Sequence, residues 1–156
     1  MKAHAPCATL STIPEEISLC LNGSIHELER LTAGVAQFCA SNSLSADTEF
    51  QLNLVLEELF VNAVRHGGCE GRENAACFSL TSHPDSVSLT FRDRGGPFDL
   101  TQAPAPDLNQ PLAERRGGGL GIHLVRQIMR DVAYRRDGDY NVLTMQYPAA
   151  EQQETL

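Results

Sequence analysis

Residues 93–121 are so rich in Gly and Pro that no helix or strand can run through them. Regular structure is therefore confined to a block on either side. In the first block, Ser24 can cap a helix that begins Ile25-His26-Glu27, with Glu27 placed as in a capping box. Ile25, Leu28, Leu31, Val35 and Phe38 keep helical spacing to about Ala40. A second helix is predicted from Ser45 or Asp47 through Leu56, Leu59, Phe60, Ala63 and Val64, ending at His66-Gly67-Gly68. Residues 75–81 and 87–91 then read as two strands joined by a turn at His83-Pro84-Asp85. In the second block, residues 120–131 form a helical pattern carrying Leu124, Val125, Ile128 and Met129. Residues 132–135 and 141–147 close the chain as a hairpin around Asp137-Gly138-Asp139. Residues 7–13 alternate in part and predict a first strand, ended by Pro14.

Four of these five strands arrive as hairpins. The pattern predicts an α+β fold, a two-layer sandwich with a mixed, mostly antiparallel five-stranded sheet and helices on one face. A doubly wound parallel sheet is not expected. The length, 156 residues, fits a single domain with a core of about 6–148.

Composition narrows the function classes. The formal net charge is -8, which argues against a general nucleic-acid binder. No apolar run approaches the roughly 18 residues needed to span a bilayer, so no membrane role is expected. The first residues lack the apolar core of an export signal. The expected location is the cytoplasm, with the five cysteines as reduced thiols, several of them buried. No Cys or His spacing suits zinc. Charge is unevenly spread: residues 1–90 hold 11 acids and 4 bases, residues 91–156 hold 9 acids and 8 bases. All bases but Lys2 are Arg, the better residue for phosphate or carboxylate.

Three constellations could carry chemistry. On the second helix, Glu58, Asn62 and His66 recur every four residues and form one polar stripe at the border of the apolar face. A carboxylate and an amide one turn apart can hold a hydrated magnesium ion or orient a nucleophile; a solvated helix edge would look the same. After the strand at 87–91 comes Asp93-Arg94-Gly95-Gly96-Pro97-Phe98-Asp99, which suits a carboxylate aimed at a ligand, or a simple turn. Opening the third helix is Arg115-Arg116-Gly117-Gly118-Gly119-Leu120-Gly121. Glycine-freed N–H groups at a helix start, beside two Arg, make an anion site; the bland alternative is a linker. Residues 100–114 precede it and could close over a ligand. The phosphate loop GxxxxGK[ST] is absent, and no clean strand feeds these glycines, so a Rossmann reading fails.

In this order and spacing the three motifs resemble the Bergerat-type ATP-binding fold of gyrase-like ATPases, histidine kinases and mismatch-repair ATPases. Glu58-x-x-x-Asn62-Ala63-x-x-His66 resembles its asparagine box, Asp93-x-Gly95 its first glycine box, and residues 117–121 its second. The match is nearest to the anti-sigma-factor serine/threonine kinases, through the Asp-x-Gly-x-Pro-Phe-Asp form of residues 93–99 and through Gly119-Leu120-Gly121-Ile122-His123-Leu124-Val125 with Met129-x-Asp131.

The resemblance implies ATP and Mg²⁺ as cofactors. It makes Glu58 the base that orients a hydroxyl nucleophile and Asn62 the magnesium ligand beside the phosphates. Asp93 would accept a hydrogen bond from the adenine amino group, with Gly95 allowing close approach. It also places His66, Pro97 and Phe98 at the nucleotide. Gly117, Gly118, Gly119, Leu120 and Gly121 would bind phosphates, with Arg115 or Arg116 at the terminal one. Thr144, on the last strand, would line the adenine pocket. The implied partners are a STAS-type antagonist protein, phosphorylated on Ser or Thr, and a sigma factor held inactive; a homodimer is compatible. Two other readings stay open: a nucleotide-binding regulatory module without kinase activity, and a detached histidine-kinase catalytic domain.

Overall fold

The structure, a computed structural model, describes residues 16–104, 109 and 119–149. The element order is β1 (Glu16–Leu21), α1 (Leu28–Ser41), α2 (Ala46–Arg65), β2 (Ala76–Ser82), β3 (Val87–Asp93), α3 (Gly119–Ile128), β4 (Arg130–Asp137) and β5 (Tyr140–Tyr147). Single 3-10 turns at Ile25–Glu27 and Leu100–Gln102 precede α1 and follow β3.

The five strands form one sheet in the order β1-β2-β3-β5-β4. All four pairings are antiparallel, so the expected mixture reduces to a purely antiparallel sheet among the described residues. β2–β3 and β4–β5 are hairpins; the two long connections, β1 to β2 through α1 and α2 and β3 to β4 through α3, carry the helices. Alternation assigns the faces. Phe78 and Leu80 of β2, Leu89 and Phe91 of β3, and Leu143 and Met145 of β5 are buried in one cluster with α1 and α2 residues such as Val35, Leu52, Leu56 and Phe60. The intervening Ser79, Thr90 and Thr144 face away from the helices.

Local signals explain most boundaries. Ser45 caps α2, its hydroxyl accepting from the Thr48 N–H at 3.1 Å. At the far end the Gly67 N–H returns to the Asn62 and Ala63 carbonyls, and Gly68 takes φ +80. Ser24 accepts from the His26 N–H, but the helix only becomes α-helical at Leu28.

Two expectations change. The first strand predicted at residues 7–13 lies outside the described residues, and the strand that pairs with β2 is Glu16–Leu21. Two of the cysteines are not thiols. Cys20 stands directly opposite Cys77 in the β1–β2 register, on the face away from the helices, and the two are joined by a disulfide. Cys39 and Cys69 are free and buried, as expected. Among the described residues no helix is long and apolar enough to cross a membrane.

Candidate nucleotide site

A cavity of about 300 Å³ opens where α2, β3, β5, the loop after β3 and α3 meet. That volume lies at the small end of ligand pockets. Its α2 wall is Leu59, Asn62, Ala63 and His66; its floor is Phe91, Asp93, Asn141 and Leu143. Pro97, Phe98 and Leu100 form one rim, and Ile122 of α3 the other. The walls are mostly apolar. Phe98 is 55% exposed at the mouth.

Asp93 ends β3 on its core-facing side and is only 9% exposed. A carboxylate buried this far must be hydrogen-bonded. Its Oδ1 accepts from the Gly95 N–H at 2.8 Å and from Asn141 Nδ2 at 3.0 Å. Gly95 is required by this approach. A Cβ there would come within 2.7 Å of Asp93 Oδ1 and 2.8 Å of the Gly67 carbonyl. The Gly96 N–H donates to that same carbonyl at 3.0 Å, so the end of α2 and the loop after β3 are stitched together.

Glu58 does not line the cavity; it sits beside it, under the first turn of α3. A Cβ on Gly121 would overlap the Glu58 carboxylate. The absence of a side chain at position 121 is what lets the carboxylate lie against the start of the helix. Asn62, one turn along α2, is in the cavity wall. Among the described residues no cluster of three or more His, Cys, Asp or Glu could hold a metal ion. A cation here would take Asn62 plus oxygens brought by the ligand and water.

Asn62, His66, Asp93, Pro97 and Phe98 thus gather round one cavity, with Glu58, Gly95 and Gly121 packed against its edge. Gly119 and Leu120 form the first turn of α3. Arg115, Arg116, Gly117 and Gly118 lie outside the described residues, as does most of the predicted closing loop. Thr144 is a correction. It pairs with Thr90 on the solvent face of the sheet, and strand alternation puts Asn141 and Leu143 in the cavity instead. Asn141 was not singled out from sequence. Its signal is its place opposite Asp93, which requires the β3–β5 register.

The nearby free thiol of Cys69 is pushed up, by burial first and by the Asp93 charge second. It is fully buried and donates to the Ala75 carbonyl at 3.8 Å, so it stands as packing rather than as a nucleophile.

Residues 23–147 match the histidine kinase-like ATPase domain. A serine/threonine-protein kinase, BtrW, of Bordetella bronchiseptica is 35% identical over 101 residues, which cover 65% of this chain and 71% of the relative. An anti-sigma F factor of Bacillus subtilis is 33% identical over 64% of this chain and 68% of its own length. In structure, the chain resembles the RsbU and RsbW domains of a Mycobacterium tuberculosis protein, with a TM-score of 0.62 at 12% identity. The overlap covers 86% of this chain and 32% of that one, and the likeness is one of fold.

Proposed function

Because the chain belongs to the histidine kinase-like ATPase domain family, with serine/threonine-protein kinases and anti-sigma factors as relatives, we propose that it is an ATP-dependent protein serine/threonine kinase that also acts as an anti-sigma factor. The observation that carries the reading is Asp93: a buried carboxylate in the lining of an apolar slot, whose Oδ1 takes two donors from the protein; its Oδ2 would serve a ligand. A flat base with an exocyclic amino group fits that arrangement. Apolar walls take its faces, and Asp93 Oδ2 accepts its N–H.

His66 and Asn62, which line the cavity along α2, would lie between the base and the phosphates. Asn62 would hold Mg²⁺ together with phosphate oxygens and water. Magnesium, when bound, neutralises phosphate charge and aligns the terminal group for in-line transfer. Gly119, Leu120 and Gly121 open α3, where main-chain N–H groups favour anions. Gly117 and Gly118 would extend that cradle, and Arg115 or Arg116 would reach the terminal phosphate. Glu58, whose carboxylate lies against Gly121, would accept a proton from an incoming Ser or Thr hydroxyl beside that phosphate. The acceptor would be a STAS-type antagonist protein and the sequestered partner a sigma factor, both acting in the cytoplasm.

Calorimetric titration with ATP and Mg²⁺ tests the base-reading step. Asp93→Asn replaces an acceptor by an amide that can present a donor, and ATP affinity should fall about tenfold or more. Unchanged affinity in the folded variant would remove Asp93 from base recognition.

A further inference from the structure

One row of the sheet runs from the edge strand into the cavity: Arg136 on β4 faces Asn141 on β5, and Asn141 faces Asp93 on β3. Asn141 is 4% exposed and its amide is used on both sides. Nδ2 donates to Asp93 Oδ1 at 3.0 Å and to the Gly96 carbonyl at 2.8 Å. Oδ1 accepts from the Tyr134 hydroxyl at 2.7 Å, from Arg136 Nη1 at 3.2 Å and from the Phe98 N–H at 3.3 Å. The chemistry of these partners sets the amide orientation. A carboxylate and a carbonyl only accept, while a guanidinium and a main-chain N–H only donate, so the flipped amide would meet like with like.

Arg136 has a second hold on the same loop. Its Nη1 also donates to the Gly95 carbonyl at 2.8 Å, and its Nε to the Gly138 carbonyl at 3.0 Å. The loop after β3 is thereby gripped from behind at Gly95, Gly96 and Phe98. Asp93 cannot turn its carboxylate without giving up both donors on Oδ1, one of which is Asn141. We propose that Arg136, Tyr134 and Asn141 are positioning residues that set nucleobase selectivity: they hold Asp93 so that Oδ2 alone faces the base, and they fix the loop that carries Phe98.

The proposal rests on Asp93 reading a base amino group. It adds that the reading depends on a clamp anchored in the edge strand: Arg136 and Tyr134 lie outside the cavity lining and act through Asn141, which lines it. A residue needed only for folding would weaken every nucleotide alike. A positioning residue should weaken only the nucleotide whose amino group Asp93 reads.

The experiment is calorimetric titration with ATP and with inosine triphosphate, which carries a keto oxygen where adenine has its amino group. The wild type should prefer ATP by about tenfold or more. Arg136→Met keeps the side-chain length and removes every donor; it should cut that preference at least about threefold, through weaker ATP binding, with inosine triphosphate affinity held within about twofold. Arg136→Lys, which keeps a cationic donor, should retain most of the preference. Asn141→Ala should lose more of it than Arg136→Met. The proposal is overturned if Arg136→Met and Asn141→Ala keep the wild-type ratio, or if both nucleotides weaken in parallel. A wild type that binds ATP with no preference would overturn it differently, by removing the base-reading role of Asp93 itself.

Discussion

Glycine at position 121 is a chemical requirement of its neighbour. The Glu58 carboxylate occupies the space a Cβ would need, and a carboxylate at the end of a flexible side chain can be displaced without disturbing the backbone. Gly121→Ala should therefore leave the fold intact and move the Glu58 carboxylate, the proposed base. We expect turnover to fall about tenfold or more, ATP affinity to change little, and the melting temperature to stay within a few degrees. Steady-state kinetics beside calorimetry would show whether the loss is in the chemical step. Cys39 gives a second test at this scale. Burial, aided by the Glu49 charge, raises its thiol from 9.0 to about 11. A group raised on folding stabilises the fold below its unfolded value and loses that contribution as pH climbs through the folded one. Denaturant stability should thus decline between pH 9 and 11, and Cys39→Ala should flatten that decline. An equally steep decline in Cys39→Ala would assign it to other groups.

At the scale of elements, the site depends on short loops that meet rather than on long surfaces. Gly23, just after β1, donates to the Arg72 carbonyl at 2.8 Å and accepts from the Gly71 N–H at 2.8 Å, tying β1 to the loop that leaves α2. A Cβ on Gly23 would overlap the Cys69 carbonyl, which is backbone and cannot swing aside. Gly23→Ala should destabilise the protein by about 1–3 kcal/mol, read from urea midpoints. A change of less than about 0.5 kcal/mol would mean that the loop adjusts freely. The same elements show what a sequence can and cannot disclose. The ends of α2 were legible because Ser45 and Gly67-Gly68 are local signals that act within one turn. The strand at 16–21 carries its own alternation, with Ile17, Leu19 and Leu21 more protected than Glu16, Ser18 and Cys20, but it lies beyond Pro14, a residue that by itself signals a strand end. Asp93 and Gly95 were legible as a motif. Asn141 was not, because its meaning comes from facing Asp93 across a pairing between strands 48 residues apart. Thr144 was misplaced for the same reason: one residue of parity separates the cavity from solvent.

For the whole molecule, the uneven charge takes on a structural sense. Several Arg residues of the second half are engaged by main-chain carbonyls: Arg136 by Gly95, Arg126 by Ala103 at 2.8 Å, and Arg94 by Glu73 at 3.5 Å. Arg92 and Arg94 also lie over the Tyr140 ring, 4.5 and 5.7 Å from its centre. These cations fasten the loops and strands around the cavity. In the proposed function the framework serves transfer of a phosphoryl group from ATP to a hydroxyl on another protein. The direct test is incubation of the chain with terminally labelled ATP, Mg²⁺ and a STAS-type protein from the same organism, the proposed acceptor. Label should appear on that protein, stable to acid as expected for Ser or Thr, and should vanish with Glu58→Gln although that variant still binds ATP. Acid-labile label, or none at all from wild-type protein that binds ATP, would contradict the account.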